Sequence, residues 1–328
     1  MSRADAARAD RPEPSDVEAR AELATLRDLV RWGATRLWAA GVAGGHGVDD
    51  PRDEAAWMLA WTLHLPPGAI EPYLDARATR RERDAFVSLV ERRAAERVPA
   101  AYLMGEAWLH GVRFVCDARA LVPRSPIADL LAGDAQESLE AWLPDAEAPA
   151  RVLDLCTGGG SLAVLAALRW PDSHVTASDV SEAALALAAD NVALHGLAAR
   201  VRLVRSDLYG ALGDALPRGA ARFDLILTNP PYVNARSMAA LPPEFRAEPA
   251  AALDGGDDGM LIVRRIVEGA FRHLTPGGLL VVEVGHEAGH FERAFPRLEH
   301  AWLPVAAGER CIALIVREQL PHGSKRAG

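Results

Sequence analysis

Cysteine is scarce in this sequence and long apolar runs are missing, and each shortage excludes a class of protein. The three cysteines, Cys116, Cys156 and Cys311, are far apart, odd in number and without metal-ligand spacing. This pattern argues against a disulfide framework and favours a reducing compartment, so we expect a cytoplasmic protein. No apolar stretch reaches the roughly 18 residues that a membrane span needs. Residues 1–15 lack the apolar centre of a secretory signal, and we expect them to form a disordered lead-in.

Basic residues are in the minority as well. The chain of 328 residues has 36 Lys and Arg against 45 Asp and Glu, a formal net charge of −9. Proteins dedicated to nucleic acid usually present a basic face, so we expect no direct nucleic-acid specificity. The length is sufficient for two domains.

Hydrophobic periodicity divides the remainder of the chain into three parts. Residues 16–105 show helical spacing without a β-rich interruption, and 106–125 contain a β-hairpin connector with His110-Gly111 at its turn. From 126 to 328, strands alternate with helices, and apolar runs such as "VLDL" predict strands buried on both faces. We therefore predict a doubly wound α/β domain. Its predicted strands cover 151–155, 174–178, 201–204, 223–227, 279–284 and 311–316.

A glycine-rich turn follows the first of these strands in "VLDLCTGGGS". Gly158 and Gly160 let the backbone approach a ligand closely, and the helix that follows offers free N–H groups. Asp154 precedes the turn, and Asp179 ends the next strand, where a carboxylate can accept the hydroxyls of a ribose. The spacing from Gly158 to Ala163 also fits the dinucleotide fingerprint, so an NAD-dependent enzyme remains an alternative interpretation at this point.

A second acidic residue follows the third strand in "SDL". Asp207, beside Leu208, is placed to contact the exocyclic amine of an adenine. An aspartate after a strand also caps turns, so this motif alone does not decide between the two roles.

The fourth strand ends abruptly in Asn229-Pro230-Pro231-Tyr232. Ligands in such sheets bind beyond the carboxyl ends of the strands, so this loop should face the same crevice as the glycine turn. A planar amide or amine nitrogen is a poor nucleophile because its lone pair is delocalised. The Asn229 side chain and the Pro230 carbonyl could accept its two hydrogens while Tyr232 stacks on the planar group. A dehydrogenase needs no such set.

In this order and spacing, "DLCTGGG", "ASDVS", "SDL" and "NPPY" resemble the class I S-adenosylmethionine-dependent methyltransferases that methylate amino groups. The resemblance implies a Rossmann-like, seven-stranded sheet and S-adenosyl-L-methionine as cofactor. It implies catalytic roles for Asn229, Pro230 and Tyr232. The cofactor-binding residues that it implies are Asp154, Thr157, Gly158, Gly160, Asp179, Asp207, Leu208 and Asn229. The implied substrate-binding residues are Asn229, Pro230, Pro231, Tyr232 and Arg124.

Further segments resemble the protein-(glutamine-N5) methyltransferases specifically. These are "FRAEPAAALDGGDDGM" (245–260), "TPGGLLVVEVG" and the helical domain. The resemblance implies that the helical domain recognises the substrate. "LVPRSP" and "GHGVDDPRDEA" look like the branch whose substrate is the third protein of the large ribosomal subunit, and Cys156 in place of glycine fits that branch. Gly159 departs from the Ser or Thr usual in the family. Three further interpretations stay open: release factors as substrate, adenine in nucleic acid as substrate, and a non-catalytic assembly module.

One formal match to a metal motif is set aside. "HEAGH" (286–290) satisfies the zincin pattern, which requires two histidines on one face of a stable helix and a third ligand downstream. Here Gly285 and Gly289 interrupt the segment, and Pro296 stands at the position of the third ligand. We therefore expect no metal and interpret the segment as a solvated helix start.

Overall fold

A computed structural model describes residues 15–143, 147–215 and 222–321 of the chain. Apart from Ser15, the predicted lead-in lies outside these residues. The described chain divides into two compact units. The first consists of 15–105 together with Pro242–Ala247, and the second of Glu106–Leu241 and the residues from Glu248 onward. None of the described helices combines the length and the apolar character needed to cross a bilayer.

The first unit is helical, as the periodicity predicts. Its helices are α1 (Asp16–Glu22), α2 (Leu26–Ala39), α3 (Pro51–Thr62), α4 (Arg80–Glu96), α5 (Ala100–Met104) and a short helix over Pro243–Arg246. Thr25 and Thr79 form capping boxes at the starts of α2 and α4, and Asp50 caps α3 ahead of a proline at its first position. These caps satisfy backbone N–H groups that a helix start leaves unpaired. The apolar faces of α2, α3 and α4 pack into one core.

A buried group of four charged side chains lies inside this unit. Arg93 donates to Glu54 at 2.6 Å and to Glu244 at 3.3 Å, and Arg97 donates to Glu244 at 2.5 and 3.1 Å. The Glu244 side chain is fully buried and also accepts from the Ala43 N–H. Burial alone would raise the pKa of Glu244, but the hydrogen bond from Arg97 and its neighbours outweigh burial and lower it. Two positive and two negative groups thus compensate each other.

The second unit contains the hairpin and the α/β domain. The hairpin strands β1 (Glu106–Leu109) and β2 (Val112–Val115) pair antiparallel, and His110 and Gly111 between them both have positive φ, the geometry of a type I′ turn. The strands of the large sheet are β3 (Arg151–Leu155), β4 (His174–Asp179), β5 (Val201–Arg205), β6 (Phe223–Thr228), β7 (Leu274–Glu283), β8 (Ala301–Trp302) and β9 (Ile312–Val316). The helices are α6 (Ile127–Ala132), α7 (Gln136–Glu140), α8 (Ser161–Arg169), α9 (Glu182–Leu194), α10 (Leu212–Ala215), α11 (Ala235–Ala240), α12 (Leu261–His273) and α13 (Ala288–Ala294).

Among the described residues the large sheet has seven strands in the order β5-β4-β3-β6-β7-β9-β8. β3 to β7 are parallel and β9 is antiparallel to β7 and β8. The predicted seven-stranded, doubly wound α/β sheet is therefore confirmed. Chain order reverses between β3 and β6, and a sheet of this kind opens a crevice for ligands at such a reversal. The glycine turn and the Asn229–Tyr232 loop follow these two central strands.

Candidate active site

A cavity of about 460 Å³ opens beyond the carboxyl ends of the central strands. Its walls come from the loops after β3, β4, β5 and β6 and from two segments, 119–125 and 249–254. The predicted site residues that line it are Thr157, Gly158, Asp179, Asp207, Leu208, Asn229, Pro231 and Arg124. A cavity of this size is in the range of small-molecule and cofactor sites.

The glycine turn is held in place by the carboxylates of Asp179 and Asp154. Asp179 accepts the Gly158 N–H at 2.9 Å through Oδ2 and the Ser181 N–H at 2.8 Å through Oδ1. A carboxylate offers about four acceptor positions, so these two hydrogen bonds leave acceptor capacity on a residue that lines the cavity. Asp179 can therefore brace the turn and still accept the hydroxyls of a ribose.

Asp154 and Gly160 lie behind the cavity wall. The fully buried Asp154 accepts from the Thr157 hydroxyl at 2.5 Å and from the Ala163 N–H at the start of α8 at 2.9 Å. Burial raises the pKa of Asp154 to about 7. A methyl group at Gly160 would meet the Ala188 methyl at 3.0 Å, so this glycine allows α8 to approach α9. The cofactor contacts predicted for these two residues stay predictions.

Two residues other than glycine adopt the left-handed backbone at the cavity. Cys156 has φ +62° and Leu208 has φ +49°, a conformation that costs an ordinary residue on the order of 1 kcal/mol or more. Position 156 thus has the geometry that favours glycine. Strain of this kind concentrates at ligand sites, and both residues line the cavity.

The side chain of Asp207, the predicted adenine contact, is held less firmly by the protein than that of Asp179. Its Oδ2 accepts from Arg265 at 2.8 Å, and both side chains are about half exposed. An exposed ion pair of this kind contributes little to stability, so Asp207 can exchange this partner for a ligand amine without a large penalty.

A second cavity, of about 530 Å³, adjoins the first along the Asn229–Tyr232 loop. Asn229, Leu121, Arg124 and Ala252 line both cavities, whereas Pro230 and Tyr232 line only the second. Asn229 therefore belongs to the wall shared by the two spaces. Such an arrangement suits a group transfer, in which the donor occupies one space and the acceptor the other.

The Tyr232 side chain is fixed from two sides. Its hydroxyl donates to Glu283 Oε1 at 2.7 Å, and Ser125 donates to Glu283 Oε2 at 2.5 Å. Gly285 lies against the ring, where an added methyl would come within 2.6 Å of a ring carbon. Burial and the neighbouring Glu283 charge raise the pKa of the Tyr232 hydroxyl, so it stays protonated and donates. Burial also raises the pKa of Glu283, to about 7.

Residues 253–259 pack against the backbone of the chain at Tyr232 and Val233. The Val233 N–H donates to the Leu253 carbonyl at 2.9 Å, and the Gly255 N–H donates back to the Val233 carbonyl. Methyl groups at Gly255 or Gly259 would overlap the Tyr232 backbone. The glycines of "DGGDDG" therefore allow a close backbone approach, and Met260 follows as the cap of α12.

Arg124, a predicted substrate-binding residue, forms a bidentate pair with Glu248, with both distances 2.7 Å. Glu248 also accepts the Val122 N–H at 3.0 Å. This pair joins the segment before α6 to the chain after Ala247. Substrate contact by Arg124 stays a prediction.

The "HEAGH" segment forms a short turn leading into α13. Buried Glu287 accepts a hydrogen bond from Asn234 and pairs with His290. Asn234 also caps α11, so Glu287 ties the end of the Asn229–Tyr232 loop to the residues after β7. In the described part of the chain, no group of three or more His, Cys, Asp or Glu side chains could hold a metal ion.

Two family models match this chain. The PrmC N-terminal domain matches residues 28–105 and the methyltransferase small domain matches 137–258. The ribosomal protein uL3 glutamine methyltransferase of Bordetella pertussis is 52% identical over 92% of this chain and 98% of its own length. That of Burkholderia pseudomallei is 50% identical over 90% of this chain and 96% of its own length.

The chain belongs to the family of ribosomal protein uL3 glutamine methyltransferases. The resemblance drawn from its motifs is thereby confirmed, as is the preference for the ribosomal-protein branch over release factors and adenine. A solved methyltransferase from Pyrococcus furiosus is similar at 18% identity, covering 64% of this chain and 90% of its own, with a TM-score of 0.43. The methyltransferase domain implies that this family member uses S-adenosylmethionine.

The sequence motifs do not assign Glu283, Ser125 or Gly285 to the site. Glu283 and Gly285 contact Tyr232, and Ser125 donates a hydrogen bond to Glu283. One signal was present: Glu283 ends a buried strand next to β6, as Asp179 ends β4. Applying the strand-end rule to every parallel strand would have found it.

Proposed function

We propose that this chain transfers a methyl group from S-adenosylmethionine to the side-chain amide nitrogen (N5) of a glutamine in ribosomal protein uL3. One observation carries the proposal: Asn229 stands in the wall shared by the two cavities, with Pro230 and Tyr232 facing the second. Membership of the uL3 glutamine methyltransferase family supports the choice of substrate.

The cofactor fits the first cavity by the chemistry of its walls. Asp179 offers acceptor positions for the ribose, Asp207 offers one for the adenine amine, and the backbone at Gly158 allows close approach. The buried Ser178 hydroxyl at this cavity finds no partner among the described residues, as expected of a wall that a polar ligand completes. When bound there, S-adenosylmethionine supplies an electrophilic methyl group on its sulfonium sulfur.

Asn229 and Pro230 orient the glutamine amide in this scheme. The Asn229 Oδ1 and the Pro230 carbonyl accept the two amide hydrogens, and proline offers only an acceptor there because it lacks an N–H. Held in this way, the nitrogen turns its lone pair toward the donor space. Tyr232 stacks on the planar amide. Once methylated, the nitrogen loses its extra proton to water, directly or by way of the amide oxygen of Asn229 or the carbonyl of Pro230, so no ionisable side-chain base is required.

We infer that the helical unit recognises the protein substrate. Its family model is distinct from that of the methyltransferase domain, and the relatives match over nearly their whole length, helical region included. Because uL3 is a ribosomal protein, we place the activity in the cytoplasm. The described cysteines are free, which agrees with that compartment.

Replacing Asn229 by Ala tests the assignment. We expect transfer to fall by on the order of 100-fold or more, because the amide loses an orienting acceptor. Affinity for S-adenosylmethionine, measured by calorimetry, should change little. If affinity instead collapses while residual turnover persists at saturating cofactor, Asn229 acts mainly on the cofactor, and its assignment to the glutamine amide is wrong.

A further inference from the structure

Glu283 is a buried carboxyl group that the proposed chemistry does not use. It ends β7, beside β6, and lines the second cavity together with Asn229, Pro230 and Tyr232. Its side chain is 2% exposed, and its two oxygens accept from Tyr232 and Ser125. It lies outside the walls of the first cavity, so it has no direct route to the cofactor.

We propose that Glu283 is a positioning residue that acts through Tyr232 to fix the plane of the substrate amide. This inference rests on the proposed function. Tyr232 could otherwise turn about its side-chain bonds, and a stacked ring holds an amide only as well as the ring itself is held. The Glu283 hydrogen bond fixes the hydroxyl end of the ring, and Gly285 leaves space for the same end of the ring beside the backbone.

The charge state of Glu283 determines how it holds Tyr232. When ionised it can only accept, so the Tyr232 hydroxyl and the Ser125 hydroxyl both donate to it. When protonated it has one O–H to donate, and one of these two hydrogen bonds must reverse or break. The pKa of Glu283 near 7 puts this change within an accessible range.

Several other charged or titratable groups line the same cavity. Arg124 lowers the pKa of Glu283, and the charge of Glu283 raises the pKa of the Cys311 thiol. His286 and Arg310 also line this cavity. A test must therefore compare variants that leave these groups in place.

Kinetics provide the first test. We expect Glu283→Ala to lower kcat on uL3 by on the order of 10- to 100-fold, because a misplaced reactant loses rate steeply, while cofactor affinity is retained. Glu283→Gln should keep most of the rate, since its amide oxygen can still accept from Tyr232. In the Tyr232→Phe background, Glu283→Ala should cost little more. Glu299→Gln, at an exposed carboxylate of the same unit, is the matched control. An equal cost in both backgrounds, or a parallel loss of cofactor affinity, would overturn the proposal.

A second test is independent of turnover. The chain has four tyrosines, so labelling the ring carbon that bears the hydroxyl with ¹³C gives four signals, and Tyr232→Phe identifies the one of interest. We expect this signal to move with pH near 7 in the parent protein and to stay fixed in Glu283→Gln. A signal that ignores pH in both, or moves equally in both, contradicts the coupling. If the parent protein methylates no uL3, the proposed function fails, and this titration still decides whether Glu283 controls Tyr232.

Discussion

Among single residues, the buried Asp154 behind the first cavity makes the stability of the protein depend on pH. It joins the glycine turn to the start of α8, and burial holds its pKa at about 7, above the ordinary value of 3.8. Between these values the folded protein keeps a proton that the unfolded chain has lost. Its contribution to stability is therefore complete below about pH 4 and is lost as pH rises through about 7.

Asp154→Asn should flatten this dependence, since Asn has no charge to bury and its oxygen can still accept from Thr157 and Ala163. Between pH 5 and 8 we expect the parent protein to lose about 3 kcal/mol more unfolding free energy than the variant, because the change covers about two pKa units at about 1.4 kcal/mol each. Urea unfolding at both pH values measures the difference. Parallel losses in the two proteins would show that Asp154 does not titrate as described.

The sequence predicts site residues well where a motif follows a strand directly. Thr157, Gly158, Asp179, Asp207 and Asn229 all line the predicted crevice, because parallel strands bring their carboxyl ends to one edge. The partners of these residues are less predictable. Ser125 and Glu283 are 158 positions apart in the chain, and only the folded sheet places them together.

At the scale of elements, the Asn229–Tyr232 loop depends on glycines that lie about 25 residues further along the chain. Gly259 has φ +77°, and a side chain there would overlap the Tyr232 carbonyl. The family resemblance includes this segment, but the contact of Gly259 with Tyr232 is not predictable from it, because local periodicity does not encode contacts between distant residues.

Gly259→Ala should therefore displace the loop. We expect it to reduce methyl transfer and to destabilise the protein by more than the roughly 1 kcal/mol that left-handed backbone alone costs a residue with a side chain. Gly196→Ala is the matched control, because Gly196 has φ +67° with open space around it. Thermal unfolding and initial rates for both variants check this. Equal destabilisation with equal rates would mean that the overlap relaxes without cost.

The existence of the strands was predicted more accurately than the residues at which they begin and end. β3 and β4 agree with prediction within a residue, because continuous apolar runs mark buried strands. β7 begins at Leu274 and not at 279, since Leu274 pairs with Phe223 ahead of a register shift. β8 covers only Ala301–Trp302 and was missed, because two residues carry no periodicity.

At the scale of the whole molecule, the chain leaves the second unit at Pro242 and returns at Glu248. The six residues between belong to the helical unit, where Glu244 completes the charged group with Arg93 and Arg97. The helical periodicity of residues 16–105 gives no indication that a later segment of the chain belongs to the same unit. The first segment of this unit ends at Gly105, and its second segment is not part of the sequence prediction.

Glu244→Ala should leave two arginines without their shared partner. Removing one member of a buried ion group costs roughly 3–5 kcal/mol, because the remaining charge stays buried and uncompensated. Glu96→Ala, which breaks the exposed pair with Arg92 on the same helix α4, should cost less than about 1 kcal/mol. Denaturant unfolding of both variants gives the comparison. Equal losses would mean that the buried group relaxes into water.

A labelling experiment with three separate substrates decides whether this chain methylates a glutamine of uL3. Purified protein is incubated with methyl-labelled S-adenosylmethionine and, in separate reactions, with uL3, release factors and DNA, and the modified residue is mapped by mass spectrometry. We expect label on one glutamine side chain of uL3 with the parent protein and no label with Asn229→Ala. Label on a release factor or on DNA and none on uL3 would contradict it.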